Sequence, residues 1–136
     1  MVRTVLDQTK PAARILVVED EPLIRIIAVE ALQDASYCVA EAASAAAALE
    51  QLRGGGHFDA AIIDVGLPDR PGDLLAEEIR VTWPHLSIVI ASGRGDAELA
   101  KRFSSDAHVL ILAKPYSNQA VCDALGMLGI GPAPSA

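Results

Sequence analysis

The sequence predicts a doubly wound α/β fold, in which helices cover both faces of a parallel sheet. Short apolar runs of strand length alternate with longer segments of helical periodicity, giving a βα unit repeated five times. The strand candidates are continuous apolar runs, as expected for strands that are buried on both faces. Connections of helix length imply that the strands pair in parallel through right-handed crossovers.

Length and composition agree with this class. The 136 residues suit one domain, and the 51% hydrophobic content supports a core. We assign the domain to residues 13–128, between a flexible arm (1–12) and a flexible tail (129–136) that is rich in Gly, Pro, Ala and Ser. The net charge of −7 and the scattered basic residues disfavour nucleic acid as a partner.

No targeting or membrane segment is evident. The first ten residues are polar and lack the apolar core of a signal peptide. No apolar run approaches the roughly twenty residues that span a bilayer. We therefore expect a cytoplasmic protein that does not bind membranes.

The first two βα units carry recognisable helix signals. Arg14–Glu19 is the first strand candidate, and Pro22 opens a helix at a position where its missing N–H costs nothing. Tyr37–Ala42 is a weaker strand, after which Ser44 caps an alanine-rich helix. The glycines at 54–56 stop that helix.

An apolar stripe on the first helix is expected to face the core. It consists of Leu23, Ile27 and Ala31, with Ile24 and Ala28 on an adjoining track. The two cysteines, Cys38 and Cys122, lie in apolar stretches without metal-ligand spacing, so we expect buried free thiols.

The remaining three units follow the same alternation. Their strands are predicted over 58–65, 87–91 and 108–113, and their helices over 73–83, 96–103 and 117–128. Pro68 and Pro71 break the connection after the third strand. Pro84 ends the third helix, and Pro115 ends the fifth strand.

Residues with useful chemistry follow four of these strands. Glu19 and Asp20 come after the first, Asp64 after the third, Ser92 after the fourth and Lys114 after the fifth. Because the carboxyl ends of parallel strands share one edge, we expect these side chains to converge. Neighbouring carboxylates repel one another unless a cation lies among them, and Mg²⁺ prefers oxygen ligands. A hydroxyl and an ammonium suit a phosphoryl group.

Each signal also has an ordinary structural explanation. Glu19 and Asp20 suit the start of a helix, where the dipole favours acids, and Asp64 suits the start of a turn. Ser92 can satisfy its own loop backbone, and Lys114 can be a solvated cation. Chance placement of all four signals on one edge is improbable, which favours the functional interpretation.

The motifs together resemble a response-regulator receiver domain. They are VVEDEP at 17–22, IDVGLPD at 63–69 followed by Gly72, ASG at 91–93 and AKPY at 113–116. The likeness runs from about Arg14 to Leu128, and the spacing of the acidic, hydroxyl and lysine positions fits that family. It implies a flavodoxin-like (βα)5 fold with strand order 2-1-3-4-5.

The resemblance further implies a phosphorylation switch. Asp64 would be the phosphoacceptor, taking a phosphoryl group from the phosphohistidine of a histidine kinase or phosphotransfer protein. Mg²⁺ (or Mn²⁺) would be held by Asp20, Asp64 and the backbone carbonyl of Gly66, with Glu19 binding through water. Such a domain is no enzyme in the usual sense, since it catalyses only its own phosphorylation and dephosphorylation.

Two further residues complete the implied switch. Lys114 would pair with Asp64 and then with the phosphoryl oxygens, while Ser92 would move to bond the phosphoryl group. Phosphoryl transfer relies on positioning and charge neutralisation, which this set supplies. The added charge of about −1.5 to −2 would bias two conformations.

Some positions depart from the family's pattern. The residue three before the lysine is usually aromatic and rotates on activation, but here it is Ile111, which we interpret as core packing in the fifth strand. Two residues beyond Asp64 stands Gly66, which leaves the site open. Two residues beyond Ser92 stands Arg94, a cation near the entrance.

No helix-turn-helix or catalytic segment follows Leu128. We therefore expect a stand-alone receiver, a monomer or weak dimer, that signals to a protein target through the face of the fourth helix, fifth strand and fifth helix. The alternatives are the receiver of a hybrid histidine kinase and a receiver-like domain that binds partners without phosphorylation.

Two enzyme or cofactor classes are disfavoured. A haloacid-dehalogenase-type phosphatase needs a second Asp two residues after the nucleophile, where this chain has Gly66. A nucleotide- or flavin-binding domain needs a glycine-rich loop after the first strand, where this chain has Glu-Asp-Glu-Pro.

Overall fold

Five parallel strands form one sheet in the order β2-β1-β3-β4-β5, as predicted. A computed structural model describes residues 12–93 and 97–132. The strands are β1 Arg14–Val18, β2 Cys38–Ala42, β3 Ala60–Asp64, β4 Ser87–Ser92 and β5 Val109–Ala113. The helices are α1 Pro22–Asp34, α2 Ala45–Arg53, α3 Gly72–Thr82, α4 Ala97–Arg102 and α5 Asn118–Met127.

The sheet separates two apolar layers, because successive side chains of a strand point to opposite faces. Leu16 of β1 packs with α2, α3 and α4, whereas its neighbour Ile15 packs with α1 and α5. Every residue of β3 and β4 is buried. The continuous apolar runs of the sequence therefore correspond to central strands that are covered on both faces.

The predicted helix signals are confirmed. Pro22 occupies the first turn of α1. The Ser44 hydroxyl accepts a hydrogen bond from the N–H of Ala47 at 3.1 Å, and α2 ends at Arg53, directly before the glycines. Caps of this kind satisfy backbone donors that the helix itself leaves unpaired. The remaining boundaries differ from the predicted ones by one or two residues at most ends.

The predicted apolar stripe of α1 is wrong in its first half. The exposed fractions of Leu23, Ile24 and Ile27 are 65%, 38% and 52%. The helix instead packs through its second half, by way of Ala28, Val29, Ala31 and Leu32. The first turns lie opposite the loop between β5 and α5, with an apolar cavity of about 230 Å³ between them.

Both cysteines are free thiols, as predicted, but their predicted burial is wrong. Cys38 is exposed because β2 is an edge strand, and Cys122 of α5 is only half-buried. Beyond α5, the Tyr37 hydroxyl donates a hydrogen bond to the carbonyl oxygen of Ile130 at 2.9 Å. Ile130 also packs against the layer of α1 and α5. Ordered contacts thus continue past Leu128, and the predicted domain limits stay a prediction.

Parts of the chain named above lie outside the described residues. They are positions 1–11 of the predicted arm, positions 133–136 of the predicted tail, and Arg94. Within 12–93 and 97–132, no helix is long and apolar enough to cross a membrane.

Candidate functional site

Three carboxylates meet at the carboxyl edge of the sheet. Glu19 and Asp20 directly follow β1, Asp64 ends the adjacent strand β3, and one oxygen from each lies within 4.8 Å of the others. Glu19 and Asp64 are buried, whereas Asp20 is exposed. Such a set offers only oxygen ligands to a small divalent cation, and one exposed side leaves room for retained water. These features fit Mg²⁺.

Lys114 supplies the opposite charge. It follows β5, and its Nζ lies 2.7 Å from Oδ1 of Asp64 and 3.5 Å from Oε1 of Glu19. Burial acts to lower the pKa of Lys114, but the hydrogen bond and charge of Asp64, assisted by Glu19, outweigh it and raise that pKa above its usual value. The ammonium therefore stays charged at neutral pH and neutralises one of the buried acids.

The surroundings of Glu19 disfavour the ionised form of its carboxyl group. Burial, with the charge of Asp64 adding to it, raises the pKa of Glu19 above its ordinary value. The N–H of Glu21, which donates to Oε2 of Glu19 at 3.1 Å, and the Lys114 ammonium oppose that rise. A cation bound among these oxygens would favour the ionised form, because opposite charge nearby lowers the pKa of a carboxyl group.

Both oxygens of Asp64 are positioned by neighbours. While Oδ1 faces the Lys114 ammonium, Oδ2 accepts a hydrogen bond from the N–H of Gly66 at 3.0 Å. A Cβ at residue 66 would lie 3.3 Å from that oxygen, so a side chain there would crowd the carboxylate. The acceptor candidate is thereby held in one orientation at the end of a buried strand.

Ser92 ends β4 beside this cluster. It is buried, and its neighbour Ala91 pairs in register with Asp64. The carbonyl oxygen of Ser92 accepts a hydrogen bond from the N–H of Lys114 at 2.7 Å. Topology thus places the serine between the acid and lysine strands, at the edge where the sequence predicts it.

Ile111 confirms the interpretation of that position as core packing. It is half-buried and packs against the layer of α2, α3 and α4. Tyr116 follows Pro115, interacts electrostatically with Glu19, Lys114 and Asp64, and packs against the opposite layer. Burial, and then the charge of Glu19, raise the pKa of the Tyr116 hydroxyl. Tyr116 was identified from the sequence only as part of the AKPY motif, with no role assigned to it.

Two further contacts that sequence reasoning missed hold the loops of the site. Glu21 caps α1 by accepting the N–H of Leu23, and Arg25 Nη1 donates to the carbonyl oxygen of Glu19 at 2.8 Å. A polar residue just before Pro22 signalled the cap, but nothing in the sequence signalled the reach of Arg25.

Asp69 ties the loop after β3 to α2. Its two carboxylate oxygens accept the N–H groups of Ala45 and Ala46, each at 2.9 Å. These two bonds lower the pKa of Asp69 below its ordinary value. The loop that follows Asp64 is therefore anchored to a neighbouring helix terminus, where the dipole also favours a negative charge.

Comparison with known proteins gives consistent relatives. The family model for the response regulator receiver domain matches residues 15–126. The sensor kinase CckA of Brucella abortus is 38% identical over 107 residues, which cover 78% of this chain and 11% of that kinase. The chain thus spans only a small part of this relative.

Two solved structures are similar to the whole fold. The chemotaxis protein CheY4 of Vibrio cholerae has a TM-score of 0.80 at 25% identity, covering 87% of this chain and 99% of that chain. The response regulator TrrA of Thermotoga maritima, solved in complex with Mg(2+)-BeF, has a TM-score of 0.75 at 28% identity, covering 85% and 98%. Because the family match extends from the first strand into the last helix, the chain belongs to the family of response-regulator receiver domains.

Proposed function

We propose that Asp64 accepts a phosphoryl group from the phosphohistidine of a histidine kinase or phosphotransfer protein, in a reaction that requires Mg²⁺. The observation that carries this proposal is the 2.7 Å contact between Asp64 Oδ1 and the Lys114 ammonium, inside a cluster of three carboxylates of which two are buried. This arrangement holds the carboxylate of Asp64 in one orientation and places a cation beside it for the incoming charge. An ion pair with a purely structural role would not require two further carboxylates beside it, whereas Asp64 has Glu19 and Asp20 as neighbours.

The transfer itself exchanges one bond for another. A carboxylate oxygen of Asp64 attacks phosphorus, the P–N bond of the phosphohistidine breaks, and the imidazole nitrogen leaves with the electron pair. The Lys114 ammonium then forms its ion pair with the phosphoryl oxygens instead of with the carboxylate. The Ser92 hydroxyl donates a hydrogen bond to one of these phosphoryl oxygens. Positioning and neutralisation supply most of the catalysis in such reactions.

The metal would be held by the residues already described. Asp20, Asp64 and the carbonyl oxygen of Gly66 would bind it directly and Glu19 through water, and Mn²⁺ accepts the same oxygen ligands. When bound, the ion offsets the negative charge shared by the carboxylates and the phosphoryl group. The relative TrrA was solved with Mg(2+)-BeF, which supports this assignment.

The phosphodonor would dock beside α1. Its histidine must reach Asp64, so it must cover the surface around the carboxyl edge. That surface includes the exposed side chains of Leu23, Ile24 and Ile27, next to the apolar cavity bounded by Pro115 and Tyr116. A contiguous exposed apolar patch of this kind is typical of protein interaction sites.

The downstream target would bind the face of α4, β5 and α5. Arg102 of α4 forms ion pairs with Asp73 and Glu77 of α3, which ties α4 to the helix that begins after the acceptor loop. We further propose a cytoplasmic response regulator, monomeric or weakly dimeric, that signals to its target through such contacts.

One alternative has an observation in its favour. The 38% identity to a sensor kinase agrees equally well with the receiver module of a hybrid histidine kinase. The chemistry of Asp64 is the same in both cases, and only the partner differs.

Phosphoryl uptake tests the proposal directly. The intact mass is measured after incubation with acetyl phosphate and Mg²⁺, for wild type, Asp64→Asn and the control Asp123→Asn, an exposed acid on α5. We expect one phosphoryl group on wild type and on the control, and none on Asp64→Asn. Comparable uptake by Asp64→Asn would contradict the assignment. No uptake by any protein, from acetyl phosphate or from a panel of phosphorylated kinases, would favour a domain that works without phosphorylation.

A further inference from the structure

Arg25 connects three elements around the acidic loop. From the first turn of α1 its Nη1 donates to the carbonyl oxygen of Glu19 at 2.8 Å, with a longer contact of 3.5 Å to that of Asp20. Its Nε pairs with Oε1 of Glu41 in β2 at 3.0 Å. Only 18% of the side chain is exposed, so the guanidinium is held by these partners rather than by water.

Arg25 binds the backbone of Glu19 and Asp20, which supply two of the three carboxylates. The N–H of Glu19 donates to the carbonyl oxygen of Ala42, and α1 begins only at Pro22, so the carbonyls of Glu19 and Asp20 lie between two regular elements. A hydrogen bond from a charged donor is roughly twice as strong as a neutral one. The Arg25 guanidinium therefore restrains the backbone of the residues whose side chains meet Asp64.

We propose that Arg25 is a positioning residue of the metal site, holding Glu19 and Asp20 in their binding geometry before the ion arrives. The identity of the ion rests on the function proposed above. The geometry of the loop in the metal-free protein does not depend on it.

The charge of Arg25 works against its positioning role. A guanidinium bound to the backbone of the acidic loop repels a divalent cation held by that loop, so loss of the charge alone would tighten Mg²⁺ binding. Loss of the restraint would weaken binding, because the carboxylates must then be ordered when the ion binds. The two effects have opposite signs, which makes the direction of the change informative.

Mg²⁺ binding is measured by calorimetry for wild type, Arg25→Ala, Arg25→Lys and Arg53→Ala. Arg53 is an exposed residue at the C-terminal end of α2, and its replacement removes the same charge far from the acidic edge. We expect Arg25→Ala to weaken Mg²⁺ binding about tenfold, as is typical for a residue that orients metal ligands. Arg25→Lys should recover part of the loss, and Arg53→Ala should resemble wild type.

Hydrogen exchange without metal provides the second measurement. The N–H of Glu21, which bonds to the Glu19 carboxylate, should exchange faster in Arg25→Ala, while the amides of β4 should not change. If Arg25→Ala does not fold, both measurements are made on Arg25→Lys, for which we also expect weaker Mg²⁺ binding and faster exchange at Glu21 than in wild type. Unchanged or tighter Mg²⁺ binding would overturn the proposal. Failure of wild type to bind Mg²⁺ would refute the proposed function instead, and exchange at Glu21 alone would then decide the role of Arg25.

Discussion

Gly72 lies directly against the backbone of Asp64. A Cβ at residue 72 would be 2.0 Å from the carbonyl oxygen of Asp64, and the N–H of Gly72 donates to the carbonyl oxygen of Val65 at 2.8 Å. Helix α3 thus begins in contact with the strand that ends in Asp64. Glycine is required here because of this close approach, since no positive φ is involved.

Gly72→Ala should therefore destabilise the domain strongly. The added methyl group meets backbone rather than a flexible side chain, so α3 or the end of β3 must move, at a cost of about 3 kcal/mol in the free energy of unfolding. Denaturant titration measures the change. Gly126→Ala is the control, since a Cβ there meets nothing within 4 Å and alanine favours the helix. Equal stabilities of the two variants would contradict the expected clash.

Lys114→Ala should leave the acidic cluster without its internal cation. In the absence of metal we expect the free energy of unfolding to fall by about 1–3 kcal/mol, because the carboxylates of Glu19 and Asp64 then repel each other without compensation. Added Mg²⁺ should stabilise the variant more than it stabilises wild type, since the competing ammonium is gone. Thermal unfolding with and without Mg²⁺ measures both effects.

Lys101→Ala is the matched control for the lysine, because Lys101 is exposed on α4. If both alanine variants respond alike to Mg²⁺, the stabilising role of Lys114 at the carboxylates is refuted. We also expect Lys114→Ala to bind Mg²⁺ yet to lose the conformational response to phosphorylation, which the amide spectra of wild type and variant would reveal.

Asp69→Asn should reduce stability in a pH-dependent way. The N–H groups of Ala45 and Ala46 hold the pKa of Asp69 below its ordinary value of 3.8, so the native state favours the ionised form. Its contribution is present in full above that ordinary value and is lost as the pH falls through the lower native pKa. An asparagine has one acceptor oxygen in place of two and does not titrate.

The difference between wild type and Asp69→Asn should thus be largest at neutral pH and shrink well below pH 3.8. Unfolding at several pH values measures it, with the exposed Asp34→Asn as control. A difference that stays constant from neutral to acidic pH would show that the carboxylate does not act through these N–H groups.

Ile27→Gln should separate docking from chemistry. The side chain is 52% exposed, so we expect the free energy of unfolding to change by less than about 1 kcal/mol. Phosphoryl uptake from acetyl phosphate should be unchanged, since that small donor needs no docking surface. Uptake from a phosphorylated kinase should slow about tenfold, which corresponds to about 1.4 kcal/mol of lost contact.

Val81→Gln tests whether any exposed apolar residue has the same effect. Val81 is 85% exposed but lies on α3, away from the cavity beside α1. Equal slowing by the two variants would argue against a docking role for the α1 surface.

The sequence predicted the fold because its signals are local. Apolar runs, Pro22 and Ser44 depend only on nearby residues, and a parallel topology then gathers the strand ends that carry Glu19 and Asp64. The same logic explains why the convergence of the carboxylates was predictable without any knowledge of side-chain geometry.

What the sequence could not predict depends on residues far apart in the chain. Periodicity groups Ile24 and Ile27 on one face of α1 but does not say what lies opposite that face. Arg25 meets Glu41 sixteen positions away, and Asp69 reaches back twenty-four positions to Ala45. Such pairs result from the packing of whole elements, and no local sequence pattern predicts them.

The hydrogen bond between Tyr37 and Ile130 places the end of the described chain beside the start of β2. Tyr37 directly precedes β2 and Arg14 begins β1, so both ends of the described chain leave the sheet at its amino edge. Asp64 lies at the other edge, about 17 Å away at the rise of a five-residue strand. A neighbouring segment would therefore leave the described residues, at 12 or 132, from the edge of the sheet opposite Asp64.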